Sequence, residues 1–155
     1  MRAVVQRVAR ARVVISGETV GEIGAGLCVL LSVGPDDDEA VAAHLAGRIA
    51  TLRIFPDAEG RMNLDLTAAS GGVLVVSQFT LHADTGRGHR PSFINAGAAE
   101  QAERLCAAAV DSFRRLGLPV ATGRFGAHME VELVNDGPVT LVVTSGEPPW
   151  PADAG

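Results

Sequence analysis

"VLVVSQFTLHADT", residues 73–85, decides how this chain is to be read. Val73, Leu74, Val75 and Val76 form the apolar, largely β-branched run of a buried strand. Ser77 and Gln78 then interrupt it. Buried polar side chains must be hydrogen-bonded, so two in succession mark either a strand end or the wall of a ligand pocket. If the strand continues, alternate side chains share a face. Gln78 and Thr80 then point one way, and Ser77, Phe79 and Leu81 the other. In the first case polarity simply rises toward a loop at His82. In the second, the segment offers an amide, a hydroxyl and backbone N–H groups to a ligand.

Outward from this strand, the chain reads as alternating short elements. Residues 2–26 carry a period of two and tight-turn residues, which predicts two or three short strands. "LCVLLSVG" is a further buried strand. "PDDDEAVAAHLAGRIATLRIF" predicts a helix with acidic residues in its first turn, where the helix dipole favours negative charge. Val41, Leu45, Ile49 and Leu52 form its apolar stripe. "PDAEGR" is a turn. After the polar loop "HADTGRGHRPS", residues 98–117 predict a second helix. Leu105, Ala109, Phe113 and Leu116 face inward, and Gly117 caps the end. "HMEVELV" and "VTLVVTS" predict two strands joined by "NDGP". The expected fold is α+β, a single domain of residues 1–145 with a mainly antiparallel, barrel-like sheet covered by two helices. The Pro-rich segment 146–155 is expected to be a mobile tail.

Composition narrows the chemistry. At 155 residues and 47% hydrophobic the chain can bury one sizeable core. Its net charge of −5 argues against broad nucleic-acid binding but not against a local pocket for one nucleic-acid end. All 13 basic residues are arginine, and lysine and tyrosine are absent, which excludes Schiff-base lysine and a catalytic phenol. Arginine suits bidentate contacts with phosphate. Cys28 and Cys106 have no spaced partners and read as structural thiols. His44, His82, His89 and His128 lack metal-ligand spacing, so no metal and no cofactor are expected. Apolar runs are too short to span a bilayer, and the N-terminal arginines interrupt any signal-like stretch. A cytoplasmic location is the resulting expectation.

Two further motifs stand out. "RGHRPSF" places Arg87, His89 and Arg90 close behind the quoted strand, as a basic patch or as solvated loop charge. In "VNDGPVT", Asp-Gly between strands signals a hairpin. Yet Pro138 follows at once and cannot donate to a ladder, and Gly-Pro is a bond that can be cis. No G-x-S-x-G elbow or phosphate loop is present. Thr80 and His82 as neighbours on one strand make a poor triad.

Together "SQFTL" at 77–81 and "NDGPVT" at 135–140 resemble the paired signatures of the D-aminoacyl-tRNA deacylases, the chiral proofreaders of translation. "QRV", "GEIGAGL", "RIFPDAEGRMNL", "RPSF" and "TGRF" extend the resemblance to about residue 145, and "SQFTL" resembles the bacterial type. The resemblance implies a metal-free homodimer with its site at the interface. It implies that Ser77, Gln78, Phe79 and Thr80 hold the 3′-terminal adenosine and the ester of an aminoacyl-tRNA, with the Phe79 N–H facing the oxyanion. Gly137 and Pro138 match a Gly–cis-Pro element that enters the partner's pocket and grips the substrate amino group. Arg7 matches an arginine bracing that element, and Phe125 and Met129 match apolar residues flanking the adenine. The terminal ribose 2′-hydroxyl is implied to assist the attack. Two alternatives have the same raw material. One is an editing module related to the N-terminal domain of archaeal threonyl-tRNA synthetases; the other is a non-catalytic RNA-end-binding protein.

Overall fold

A computed structural model describes residues 1–86 and 88–146. Its longest early element is β1 (Arg2–Ile15), which turns at Ser16–Gly17 into β2 (Glu18–Ile23). Next come β3 (Gly26–Ser32), α1 (Glu39–Ala50) and a small hairpin of β4 (Phe55–Pro56) and β5 (Met62–Leu64). They are followed by β6 (Gly72–Ser77), a single 3₁₀ turn (Phe79–His82), α2 (Ala99–Arg115), β7 (Val120–Thr122) and β8 (Glu130–Thr144).

The sheet runs β2-β1-β3-β6-β7, with β8 on the other side of β1. It is mixed rather than mainly antiparallel. β1 pairs antiparallel with β2, β3 and β8, while β6 pairs parallel with both β3 and β7. The reason lies in the connections: parallel neighbours need a long crossover, and α1 and α2 supply one on each side of β6. The apolar run Val73–Val76 belongs to such a strand. Val73 and Val75 pack into the cluster beneath the helices, and Leu74 and Val76 into the cluster on the opposite face. A strand covered on both faces needs no polar alternation. The sheet nearly closes into a barrel where β2 approaches β7. A Cβ at Gly21 would lie 2.3 Å from the Thr122 carbonyl oxygen, so only glycine permits this approach.

α1 begins later than its aspartates suggested. Asp38 is the N-cap, its carboxylate accepting from the Val41 N–H at 2.8 Å. Asp37 instead accepts from the Gly34 N–H and from the Met1 ammonium, each at 2.6 Å. The buried stripe of α1 is Ala42, Leu45, Ala46, Ile49 and Ala50, with Val41 and Leu52 only partly covered beside it. In α2, Leu105, Ala109 and Phe113 are buried as expected. Leu116 is 49% exposed, because the helix ends there and Gly117 (φ 78°) turns the chain so that Leu118 enters the core instead. Of the expected tail, residues 147–155 lie outside the described residues.

The two expected C-terminal strands are one. Both halves of β8 pair with β1 in the same direction, from Val14↔Glu130 to Arg2↔Thr144. The register jumps between Val8↔Asn135 and Gln6↔Thr140, so residues 136–139 bulge out opposite Arg7 alone. "NDGP" is therefore a wide bulge and not a hairpin turn. Proline, which cannot join a ladder, sits where the ladder is already open.

Candidate active site

β6 stops at Ser77. Gln78 leaves the extended conformation (ψ 72°), and the next four residues coil into the 3₁₀ turn. The strand alternation expected for Gln78 through Leu81 does not exist. Gln78 and Thr80 nevertheless meet, because the turn brings the Gln78 amide to donate to the Thr80 hydroxyl. The turn is fastened to the end of β3, where the Gln78 N–H donates to the Leu31 carbonyl at 2.7 Å. The first N–H groups of a helical turn have no acceptor within it. The turn therefore uses neither the Phe79 nor the Thr80 amide, and both side chains are exposed.

Beneath the turn lies a small polar network that the sequence did not disclose. His82 is buried, not a loop entrance, and its Nδ1 lies 2.5 Å from the Ser32 hydroxyl. Ser32 Oγ also approaches the Phe79 carbonyl at 3.4 Å, and Arg2 donates to the Leu81 carbonyl at 3.0 Å. Burial, then the Arg2 guanidinium and the N-terminal ammonium, hold the His82 imidazole below its ordinary pKa, against a smaller opposing pull from Asp37. The available signal was the pair of polar breaks "LLS" and "VVS". Leu31 pairs with Ser77 across two parallel strands, so both breaks fall at the same carboxyl end of the sheet.

Two clefts open on either side of Ser77–Phe79. The larger, about 420 Å³, is lined by Ser77, Gln78, Phe79, Phe93, Ala102 and Phe125, among others. The Phe79 and Phe93 rings meet edge to face, with centroids 5.0 Å apart. The smaller, about 300 Å³, is lined by the same Ser77–Phe79 segment with Gly126, His128 and Met129. Phe125 and Met129 thus fall on opposite sides of the turn. Sequence reasoning missed Phe93, Ala102 and Cys106 as lining residues, because the fold alone brings α2 and the 88–98 loop over the end of β6. Burial pushes the Cys28 and Cys106 thiols up to about 11, and both cysteines are unbridged. His89 and Arg90 are exposed; Arg87 lies outside the described residues.

The bulge forms the other half of the expected site. The Gly137–Pro138 bond is cis, and Gly137 has φ 127°. Asn135 closes the bulge, its Oδ1 accepting from the Val139 N–H at 3.1 Å and its Nδ2 donating to Thr140 at 2.9 Å. Arg7 is only 9% exposed. Its Nε donates to the Asp136 carbonyl at 3.2 Å and pairs with the Asp136 carboxylate at 3.1 Å. Its Nη1 donates to the Ile54 carbonyl. A Cβ at Gly137 would come within 2.7 Å of Val139 and 3.0 Å of Arg7. Asp136, Gly137 and Pro138 project into solvent and line neither cleft beside Ser77–Phe79.

Two helices over a mixed, nearly closed barrel, with clefts beside the carboxyl end of β6, define a small α+β domain. The chain belongs to the D-Tyr-tRNA(Tyr) deacylase family, whose model matches residues 4–144. A protein of Symbiobacterium thermophilum named D-aminoacyl-tRNA deacylase is 58% identical over 145 residues, 94% of this chain and 96% of the relative. One of Deinococcus radiodurans with the same name is 54% identical over 143 residues, 92% and 99% of the two chains. Among solved structures, the c-Myc DNA Unwinding Element Binding Protein superposes with a TM-score of 0.89 at 38% identity, covering 95% of this chain and all of that one. A probable eukaryotic D-amino acid tRNA deacylase shares the fold at 17% identity, with a TM-score of 0.78 over 92% of this chain and 97% of that one.

Proposed function

We propose that this chain hydrolyses the ester of D-aminoacyl-tRNA, releasing the free D-amino acid and tRNA, and spares the L-forms. Water adds to the ester carbonyl, the acyl–oxygen bond breaks, and the ribose oxygen leaves with a proton. The observation that carries the proposal is the combination of clefts lined by Ser77–Phe79 with an exposed Gly137–Pro138 bulge braced by Arg7.

The Phe79 N–H is free of the turn and sits at the cleft, as an oxyanion donor must. Ser77 and Gln78 line both clefts, and Gln78 holds the exposed Thr80 beside them. Phe125, in the larger cleft, offers apolar surface to the adenine of the terminal adenosine, while Met129 lines the smaller cleft across the turn. The ribose 2′-hydroxyl assists the attack, which accounts for a site lacking an obvious nucleophile and base. Gly137 and Pro138 do not line their own chain's clefts, so they serve a second copy, and the working unit is a homodimer with shared sites. Residues 1–145 form the deacylase domain. The location is the cytoplasm, where aminoacyl-tRNA is made.

A backbone wall gripping the α-amino group discriminates at Cβ. A D-residue turns its side chain toward solvent; an L-residue drives Cβ into the Gly137–Pro138 main chain. Overpacking of that kind typically costs about 1–3 kcal/mol, and more where the wall cannot yield. The wall does not sense what lies beyond Cβ, and glycine has nothing to reject. Initial rates on D-Tyr-, L-Tyr-, D-Asp- and Gly-tRNA test this. The expected order is fast and similar for both D-substrates, measurable for glycine and negligible for L-Tyr. Equal rates on D-Tyr and L-Tyr would remove the chiral filter.

A further inference from the structure

A third cavity, about 280 Å³, continues the larger cleft along α2 and shares Ser77, Cys106 and Phe125 with it. Its floor is apolar, with Val75 and Val110 both buried. Its rim is charged. Glu103, Ala107, Asp111 and Arg114 follow one another at helical spacing along one stripe of α2. Asp111 and Arg114 form an ion pair at 3.1 Å. Among the described residues Glu103 forms no ion pair, and it stands at the end nearer the shared residues. A buried apolar floor, an aromatic residue shared with the larger cleft and a carboxylate on the rim suit a nucleobase that carries an amino group. They do not suit an isolated phosphate, which would meet two carboxylates and one guanidinium.

Resting on the deacylase reading, we propose that this cavity takes the penultimate nucleotide of the acceptor end, with Glu103 reading its base. Every tRNA carries cytidine there. Cytosine presents its N4 amino group as a donor, the natural complement of a carboxylate. Phe125 lines both cavities and so can stack with the penultimate base while the terminal adenine occupies the neighbouring cleft. The cavity gives the enzyme a contact common to all tRNAs, in keeping with a site indifferent to the amino acid.

The test compares D-aminoacyl-tRNA ending in CCA with one ending in CUA, on the wild type and on Glu103→Gln. Each protein's rate on D-aminoacyl-adenosine, which lacks the penultimate nucleotide, serves as its own reference. Uracil replaces the N4 donor with an acceptor that repels a carboxylate but accepts from a glutamine amide. The wild type is expected to prefer CCA roughly tenfold in kcat/KM, and Glu103→Gln to lose most of that preference. Chemical-shift titration of the wild type with cytidine and uridine monophosphate gives a second readout, with cytidine shifting the resonances around Glu103 and Ala107 more strongly. The same CCA:CUA ratio in both proteins, or indistinguishable titrations, would overturn the proposal. Failure of the wild type to cleave D-aminoacyl-adenosine and both tRNAs would instead remove the deacylase reading beneath it.

Discussion

Arg7 stands alone on β1 opposite the four bulged residues of β8, and it donates to the carbonyl of the first of them, Asp136, at 3.2 Å. The same guanidinium holds the Ile54 carbonyl, so one buried side chain ties the bulge to the segment after α1. Arg7→Ala leaves two carbonyls without their donor, and each such loss typically costs about 1–3 kcal/mol. Asp136→Asn keeps the carbonyl contact and gives up only a half-exposed ion pair, worth about 0–1 kcal/mol. Urea unfolding is expected to rank Arg7→Ala well below Asp136→Asn. Arg7→Lys should fold better than Arg7→Ala but recover little deacylation, since a single ammonium cannot reproduce the planar fork. Equal activity for Arg7→Lys and wild type would mean that the bulge needs no such brace.

The shared-site model predicts complementation between inactive chains. Phe79→Pro removes the proposed oxyanion N–H at the first position of a helical turn, where proline is tolerated. Losing one such donor typically lowers kcat about 10²–10³-fold. Gly137→Ala forces a Cβ against Val139 and Arg7 in the other half of the site. Each variant alone should be nearly inactive. After unfolding and refolding together, half of randomly assorted dimers contain both chains and one intact site, so about a quarter of wild-type turnover should return. No recovery, with mixed dimers confirmed by mass, would place both elements in the same chain's site.

His82 makes stability depend on pH. Its folded-state pKa lies below the ordinary imidazole value of 6.5, so the unfolded chain binds the extra proton. The stabilisation is fully present above about pH 6.5 and is lost as pH falls from there through the depressed folded value. The charged neighbours facing the ring are Arg2, the N-terminal ammonium and Asp37. His82→Gln should be less stable at neutral pH and should flatten the thermal-melting profile between pH 7 and 5. An unchanged profile would mean that the slope has another origin.

Thr80→Ala should retain substantial deacylation, because Thr80 bonds to Gln78 and lines neither cleft. A tRNA ending in 2′-deoxyadenosine should react far more slowly. Single-turnover rates on the two substrates check this. A trapped acyl-enzyme at Thr80, or full activity on the deoxy substrate, would rule out the RNA-assisted reaction.

Activity is expected to survive chelation. Among the described residues, no three His, Cys, Asp or Glu side chains gather to hold a metal ion. Turnover measured before and after EDTA decides it, and loss restored by zinc would reopen metal-assisted hydrolysis.

The sequence alone determined the elements with strong local signals. The two helices, the Ser-Gly turn and the apolar strands each follow from periodicity and turn chemistry. Local pattern did not fix how those strands pair. "VLVV" is equally compatible with an antiparallel and a parallel neighbour, and the choice fell to the helical crossovers flanking β6. "NDGP" has the chemistry of a hairpin, yet β1 is long enough to pair with both halves of β8, so the same residues bulge out instead. Ser77–Leu81 reads as a strand until Leu31 captures the Gln78 N–H and the chain coils. His82 meets Ser32 for the same reason: two strands distant in sequence end side by side. Periodicity reports which face of an element is buried. Only the tertiary pairing decides what lies against that face, and here it is the pairing that builds the cleft.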